Sequence, residues 1–470
     1  MTTVLNNEVI YSEEPLPLSS TRRVAEFENN RGNIRGGGTA YISIPNLRNG
    51  VIDCNDAFVK FTVQSTLEGT NLPHFDSASP PAETLFNQLT LSSSGAISFI
   101  RKIDIFSNSA LVASIDHANK LASIISVSNN GLNSQNAKSV VDGTSISPTG
   151  DLIGNVVSDC YGLFGTASTE TKSITPEMTF IINNGILACL GEGMMPIFAQ
   201  KNGIELQIQF ETDARLSYVG RFGPGGAGSK PTTITSGTST FTNISYVAPI
   251  IEFDNSSMDA IVARNGFGSR DVMWSGVGYH ANTQQLTITN QNSTGLVTTL
   301  LANNRFKSLK SLHIGAFDNP SVGDGRGDLN LPRVPFTSIQ YRMNGLEYPI
   351  NRIDTIGKVV QNTISCHSNN SPSVGSTLMK INETALNYRQ SATVAAEATT
   401  MKRGVCGLSL ETWAETDSIS GLDVSQSDTE ALINMTSQAD ATAALTIVFV
   451  STYDVIYVIN EQGVLSASYN

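Results

Sequence analysis

The sequence has few cysteines, and those it has form no pattern. Five cysteines occur in 470 residues, and no two of them form a Cys-x-x-Cys pair. Zinc sites and disulfide frameworks both require closely spaced or paired cysteines. We therefore expect free thiols in a chain that folds in a reducing compartment, with no metal site and no bound cofactor.

Positive charge is also scarce. The chain has 29 basic residues against 41 acidic residues, which gives a formal net charge of -12. A protein that covers nucleic acid neutralises phosphates with Lys and Arg, and it shows the opposite balance. Extensive nucleic-acid binding is therefore not expected.

Signals for membranes and export are absent from the sequence. No stretch approaches the roughly 18 uninterrupted apolar residues that a membrane-spanning helix requires. The first residues, M-T-T-V-L-N-N-E-V-I-Y, lack the charged start and apolar run of a signal peptide. We expect synthesis in the cytosol without a signal peptide.

Catalytic motifs are missing as well. The five histidines are dispersed, and neither His-Glu-x-x-His nor Gly-x-Ser-x-Gly occurs. The sequence therefore predicts no enzyme. A glycosidase with paired carboxylates stays open as an alternative, because acidic residues are plentiful, although no pair stands out by its context.

What the sequence does contain is β structure. Residues 337–354 read T-S-I-Q-Y-R-M-N-G-L-E-Y-P-I-N-R-I-D, in which apolar and polar residues alternate on both sides of Asn344-Gly345. This pattern predicts a hairpin with a type I′ turn. We expect six of its side chains to line a core: Ile339, Tyr341, Met343, Leu346, Tyr348 and Ile350.

A similar hairpin is predicted in the first half, with Ile103 and Ile105 before Asn108-Ser109 and Ile115 after it. In each half the order is strands, hairpin, short helix and closing strands. The helices are predicted at 116–127 and 377–400. Two halves with the same order of elements indicate a duplicated architecture.

These patterns predict an all-β protein of two tandem β-sandwiches with a few short helices. The polar stretch 1–38 is expected to be an extended N-terminal arm that depends on a partner for its order. The first sandwich is assigned to 39–225, a Gly- and Thr-rich linker to 226–243, and the second sandwich to 244–470. Three passages, 128–175, 264–300 and 318–335, are predicted to be loops.

Two short stretches are candidate recognition sites. Arg326, Gly327 and Asp328 form an Arg-Gly-Asp tripeptide that resembles integrin-binding loops, although an ordinary turn accounts for it better. Arg305, Lys307 and Lys310 lie near Phe306 and form either a small anion-binding patch or a charged strand face at a subunit contact.

Five stretches resemble a known family by their order and spacing: M-P-I-F-A-Q-K-N-G-I-E-L-Q-I-Q-F, Y-V-A-P-I-I-E-F-D, N-N-R-F-K-S-L-K-S-L, I-Q-Y-R-M-N-G-L-E-Y-P-I-N and Y-D-V-I-Y-V-I-N-E-Q-G-V-L. They are similar to segments of the double jelly-roll major capsid proteins of the adenovirus and tectivirus lineage. The resemblance is strongest to the capsid proteins of polinton-like viruses, adintoviruses and virophages.

The resemblance implies that the sandwiches are jelly rolls and that the chain is a capsid protein of a DNA virus. It also implies a homotrimer of pseudo-hexagonal outline, whose copies tile an icosahedral shell in the virion beside penton and minor capsid proteins, with or without an internal membrane. The three predicted loops would form the outer towers. The alternative is a carbohydrate- or receptor-binding β-sandwich module or adhesin. This alternative is less favoured, because the chain has only two tryptophans and no export signal.

Overall fold

The fold is described by a computed structural model of the chain. The residues that it describes are 20–54, 56–70, 73–74, 86–92, 94–129, 143, 163–167, 172–174, 177–183, 194–221, 233–288, 296–318, 336–366, 405–411, 421–435 and 443–468.

The described residues form 25 strands and three α-helices. In the first half these are β1 (Ser20–Glu28), β2 (Ile34–Arg35), β3 (Thr39–Ile44), β4 (Gly50–Asp53), β5 (Phe58–Thr70), β6 (Pro73–His74), β7 (Phe86–Leu91), β8 (Ile100–Ser107), β9 (Ala110–Ile115), α1 (Ala118–Asn129), β10 (Leu163–Ala167), β11 (Lys172–Ile174), β12 (Glu177–Asn183), β13 (Met194–Met195), β14 (Ile204–Phe210), β15 (Tyr218–Arg221) and β16 (Thr233–Phe253). They continue with α2 (Asn255–Asn265), β17 (Val272–Ile288), β18 (Leu296–Ala302), β19 (Leu309–Asp318), β20 (Phe336–Met343), β21 (Leu346–Ile353), α3 (Ile356–Ser365), β22 (Cys406–Ser409), β23 (Thr429–Met435), β24 (Ala443–Ile459) and β25 (Leu465–Ser468).

The second half is a jelly roll. Its two antiparallel sheets have the strand orders β17-β24-β19-β22 and β18-β23-β20-β21. Numbered by their order in the chain, the strands of one sheet are the first, eighth, third and sixth, and those of the other are the second, seventh, fourth and fifth. This interleaving is the double Greek key of an eight-stranded jelly roll.

The first half repeats the same topology. Strands β1 and β2 both pair with β16, which pairs with β5, which pairs with β12. The other sheet has the order β3-β14-β8-β9. Strand for strand, β1 and β2 correspond to β17, β9 to β21, and β16 to β24. Helix α1 follows β9 as α3 follows β21, so the predicted duplication extends to the helices.

This pairing differs from the domain limits predicted from the sequence. Residues 20–35, expected to belong to an extended arm that depends on a partner for its order, supply the first strand of the first jelly roll. The expected linker at 226–243 is strand from Thr233 onward, and residues 244–253 complete β16 rather than begin the second jelly roll. By strand pairing, the first jelly roll runs from β1 to β16, and α2 connects it to β17.

Both predicted hairpins form. Asn344 and Gly345 have φ of 50° and 79°, and Asn108 and Ser109 have φ of 50° and 65°. Both turns therefore have the two positive-φ residues of type I′. The predicted core positions divide by strand. Ile339, Tyr341 and Met343 on β20 are buried, as predicted, whereas the three predicted core positions on β21 are not.

On β21 the prediction is wrong for two residues. Leu346 is 61% exposed and Ile350 is 89% exposed, while Tyr348 is half-buried. The pairing of β20 with β21 shifts between Ile339 and Tyr341, so that Ile353 takes the buried position opposite Ile339. The rest of β21 lies at the edge of its sheet.

The predicted helix at 116–127 is confirmed by α1, in which Ala118 and Leu121 are buried. The helix predicted at 377–400 lies outside the described residues. The passage 264–300 was wrongly predicted to be loop, because it contains the 17-residue strand β17. A Cβ at Gly278 would lie 2.4 Å from the ring of Tyr453, so this glycine allows the two strands to pack closely.

Each jelly roll has its own apolar core. In the first, the fully buried ring of Phe61 lies 5.7–6.3 Å from four other phenylalanine rings, those of Phe99, Phe180, Phe210 and Phe241. In the second, Tyr341 and Phe449 are buried among aliphatic side chains. Burial of this much apolar surface is the main driving force that holds each sandwich together.

A further sheet, of order β15-β7-β10-β6, lies at one end of the first jelly roll. Its strands come from three connections: β5 to β8, β9 to β12 and β14 to β16. In a jelly roll these connections emerge at the same end of the sandwich. The loops of the first half are therefore joined into an ordered structure by strand pairing.

Candidate assembly surfaces

The two jelly rolls meet along a seam that contains α1. This helix packs on β8 of the first jelly roll and on β19 and β24 of the second. Phe317, Val448 and Val450 lie on the faces of β19 and β24 that point away from the second core, and they are fully buried as part of the first core cluster. The Nζ of Lys120 lies 5.9 Å from the centre of the Phe317 ring.

Polar contacts also cross the seam. The Nε2 of His117 lies 3.5 Å from the Oγ1 of Thr283, and the amide of Lys201 donates a hydrogen bond of 3.0 Å to the carbonyl oxygen of Gly463. Burial lowers the pKa of His117 below its ordinary value. Burial at the seam therefore favours the neutral imidazole over the charged one.

The edge of the first jelly roll takes part in this seam. Strand β9 contacts both β17 and β25 of the second jelly roll. Val112, Ala113 and Ile115 of β9 are buried, and the last two lie opposite the core residues Ile105 and Ile103 of β8. The seam thus joins the fifth strand of one jelly roll to the first strand of the other.

Exposed large apolar side chains concentrate on the first and fifth strands of the two jelly rolls. Among the described residues, five of the six lie on first or fifth strands: Val24 on β1, Leu111 on β9, Met273 on β17, and Leu346 and Ile350 on β21. The sixth is Leu301 on β18. Exposed apolar surface that is grouped in this way marks a contact with another protein more often than isolated residues do.

The structure describes only one of the two sequence-predicted sites. Arg326, Gly327 and Asp328 lie outside the described residues. Arg305 binds Asp428 with two hydrogen bonds of 3.0 and 2.9 Å. Since its guanidinium is already paired, Arg305 does not supply a free positive charge to an anion-binding patch.

Lys310 is paired as well. Its Nζ lies 3.0 Å from Glu411 and 3.7 Å from Asp454. Burial lowers the pKa of Lys310, but the hydrogen bonds and the attraction of these two carboxylates outweigh burial and raise the pKa overall. The basic cluster therefore fits the alternative prediction of a charged strand face better than an anion-binding patch.

Cys54, Cys366 and Cys406 are free thiols. Burial raises the pKa of Cys54 and of Cys406 to about 12, which suppresses the reactive thiolate at neutral pH. Within the described ranges, no group of three His, Cys, Asp or Glu side chains is arranged to hold a metal ion. None of the helices in that part of the chain is long and apolar enough to cross a membrane.

Two complete jelly rolls in one chain define the double jelly-roll class of protein. No protein-family model matches the sequence, and no curated protein matches it. Solved structures do match its fold.

The mavirus major capsid protein superposes with a TM-score of 0.56 at 10% sequence identity, covering 100% of this chain and 93% of the mavirus chain. A chain in the Sputnik virophage structure gives a TM-score of 0.56 at 11% identity, with the same coverage. The Faustovirus major capsid protein gives 0.51 at 10% identity, covering 97% of this chain and 92% of its own. The chain therefore has the fold of the double jelly-roll major capsid proteins.

Proposed function

We propose that this chain is a major capsid protein, a structural subunit that forms homotrimers and tiles an icosahedral virus shell. The observation that carries the proposal is the fusion of two complete jelly rolls through a buried seam. The major capsid proteins of mavirus and Faustovirus share this fold over more than nine-tenths of their own length.

The physical argument concerns shape. Three copies of a chain with two similar lobes give six lobes in a ring, and such a ring has a nearly hexagonal outline. Hexagonal units pack side by side without gaps, which is the requirement for a shell. The work of such a subunit is done by buried interface area, and it needs no catalytic centre.

In this role the small sheet formed by β15, β7, β10 and β6 stands on the outer surface as a tower, because it is built from loops at one end of a jelly roll. The partners are neighbouring capsomers, together with penton and minor capsid proteins. With a net charge of -12, the subunit makes no extensive contact with the genome, and its location is the virion shell.

The proposal is tested by electron microscopy of the purified protein. We expect rings of three copies with six lobes, and hexagonal arrays or closed shells at higher concentration. Isolated particles with two lobes, at every concentration examined, would overturn the proposed function.

A further inference from the structure

The same strand is covered in one jelly roll and bare in the other. In the first jelly roll, β9 packs on β17 and β25, and only its first two residues are exposed. Its counterpart β21 has five exposed residues out of eight, among them Leu346 and Ile350. Nothing in the described part of the chain covers β21 as the second jelly roll covers β9.

Strand β17, on which β9 packs, is mostly covered, whereas its counterpart in the first jelly roll is mostly exposed. In the range 272–286 of β17, three of fifteen residues are exposed. Its counterpart β1, which pairs with β16 as β17 pairs with β24, has seven exposed residues out of nine. Val24, in the middle of β1, is 68% exposed. One chain therefore exposes both β21 and β1, whose counterparts β9 and β17 pack on each other in the internal seam.

We propose that β21 of one copy packs on β1 of the next, and that this contact repeats between chains the seam that β9 and β17 form within a chain. The proposal rests on the proposed function, which supplies the ring of three. Because the two surfaces differ, the contact is head to tail, and such contacts close into a ring when the rotation between copies allows it.

The charges around Val24 favour an apolar contact there. Arg22 pairs with Asp53 at 3.2 Å and also with Asp56, and Arg23 pairs with Glu252 at 2.6 Å. Glu26 accepts a hydrogen bond of 2.7 Å from Ser245. Since these charged groups keep partners within their own chain, a second copy can cover Val24 without leaving them unpaired.

Glu347 and Arg352 of β21 also have hydrogen-bond partners within their own chain. Gln340, on the neighbouring strand, donates to Glu347 at 2.8 Å and accepts from Arg352 at 3.0 Å. Between these two pairs, Ile350 projects with 89% of its surface in contact with solvent. It is the most exposed of the large apolar side chains that the structure describes, and it is the centre of the proposed contact.

The test compares three single variants and one double variant of the full chain by sedimentation. Ile350→Arg and Val24→Glu each place a charge in the proposed contact. We expect each to raise the concentration at which half of the trimer dissociates by about tenfold or more. The double variant pairs the two charges across the contact, and we expect it to recover much of the loss. Leu301→Arg is the matched control and should leave the trimer unchanged. Leu301 lies on β18, at the edge opposite β21 in the sheet that contains both strands.

All three substituted residues are exposed, so we expect thermal unfolding of the variants to match that of the wild type. A stable trimer of Ile350→Arg with wild-type affinity would overturn the contact and leave the proposed function intact. Equal weakening of the trimer by Leu301→Arg would also overturn the contact, because a new charge would then have the same effect at a surface position outside the contact. A monomeric wild type would overturn both the contact and the proposed function.

Discussion

His117 of the first jelly roll and Thr283 of the second lie 3.5 Å apart, from Nε2 to Oγ1, across the internal seam. This contact joins the residue just before α1 to a central residue of β17. It places a titratable group at the junction of the two lobes, where a change of charge acts on their packing.

The seam predicts a dependence of stability on pH. Burial lowers the pKa of His117, Lys120 and Arg101 lower it further, and Asp116 and Glu211 oppose them. Because the folded pKa lies below the unfolded value of about 6.5, the stability present above that pH is lost as the pH falls through the folded pKa. We expect the free energy of unfolding to be smaller at pH 5.0 than at pH 7.5, and the difference to shrink in His117→Gln. His280, whose pKa is also lowered by burial, retains part of the dependence. An identical pH dependence in the wild type and His117→Gln would contradict this account.

The aromatic core of the first jelly roll predicts a large effect of Phe61→Ala. The Phe61 ring is fully buried among four other rings, so its removal leaves a cavity that they fill only in part. We expect a loss of about 3–5 kcal/mol in the free energy of unfolding, measured by urea denaturation. Phe27→Ala, on the half-buried edge of the same core, is the control and should cost about 1 kcal/mol. Equal losses for the two variants would count against the assigned core.

The two hairpin turns predict different effects of a substitution at their second turn residue. A Cβ added at Gly345 would meet no atom within 4 Å, so Gly345→Ala adds only backbone strain at φ 79°. We expect it to lower stability by about 1 kcal/mol. Ser109 has the equivalent place at φ 65°, where Ser109→Gly relieves strain and should leave stability unchanged or slightly increased. Thermal unfolding of both variants checks this, and destabilisation by Ser109→Gly would show that the turns are not equivalent.

The buried thiols predict slow chemical modification. With pKa values of about 12, Cys54 and Cys406 carry almost no thiolate at neutral pH, and both are buried. In a Cys160→Ser, Cys189→Ser, Cys366→Ser background, we expect labelling of the native protein by a thiol reagent to be at least about 100-fold slower than labelling of the unfolded chain. Labelling of Cys54 or Cys406 at the same rate in both states would show that these thiols are accessible.

The hairpins could be predicted from the sequence because their information is local. Asn344-Gly345 and Asn108-Ser109 lie between alternating residues, and the turn chemistry acts within a few positions. The strand β1 could not be predicted in this way. Most of its side chains are exposed on both faces, and its order comes from main-chain pairing with β16, more than 200 residues later in the chain.

Strand β17 was missed for a related reason. Its glycines and polar residues hide the alternation that marks a strand, yet the glycines are what allow Tyr453 to pack against it. The exposed residues of β21 illustrate a different limit. Alternation indicates which side chains share a face, but it does not indicate whether anything covers that face. Val24 and Ile350 are identified as candidate contact residues only by the correspondence between the strands of the two jelly rolls.

The central claim is that this chain assembles as three identical copies. Native mass spectrometry of the purified wild-type protein tests it most directly. The account predicts a dominant species of about 150 kDa, three times the chain mass of 50.1 kDa. A dominant species of 50.1 kDa at micromolar concentration and near-neutral pH would contradict it.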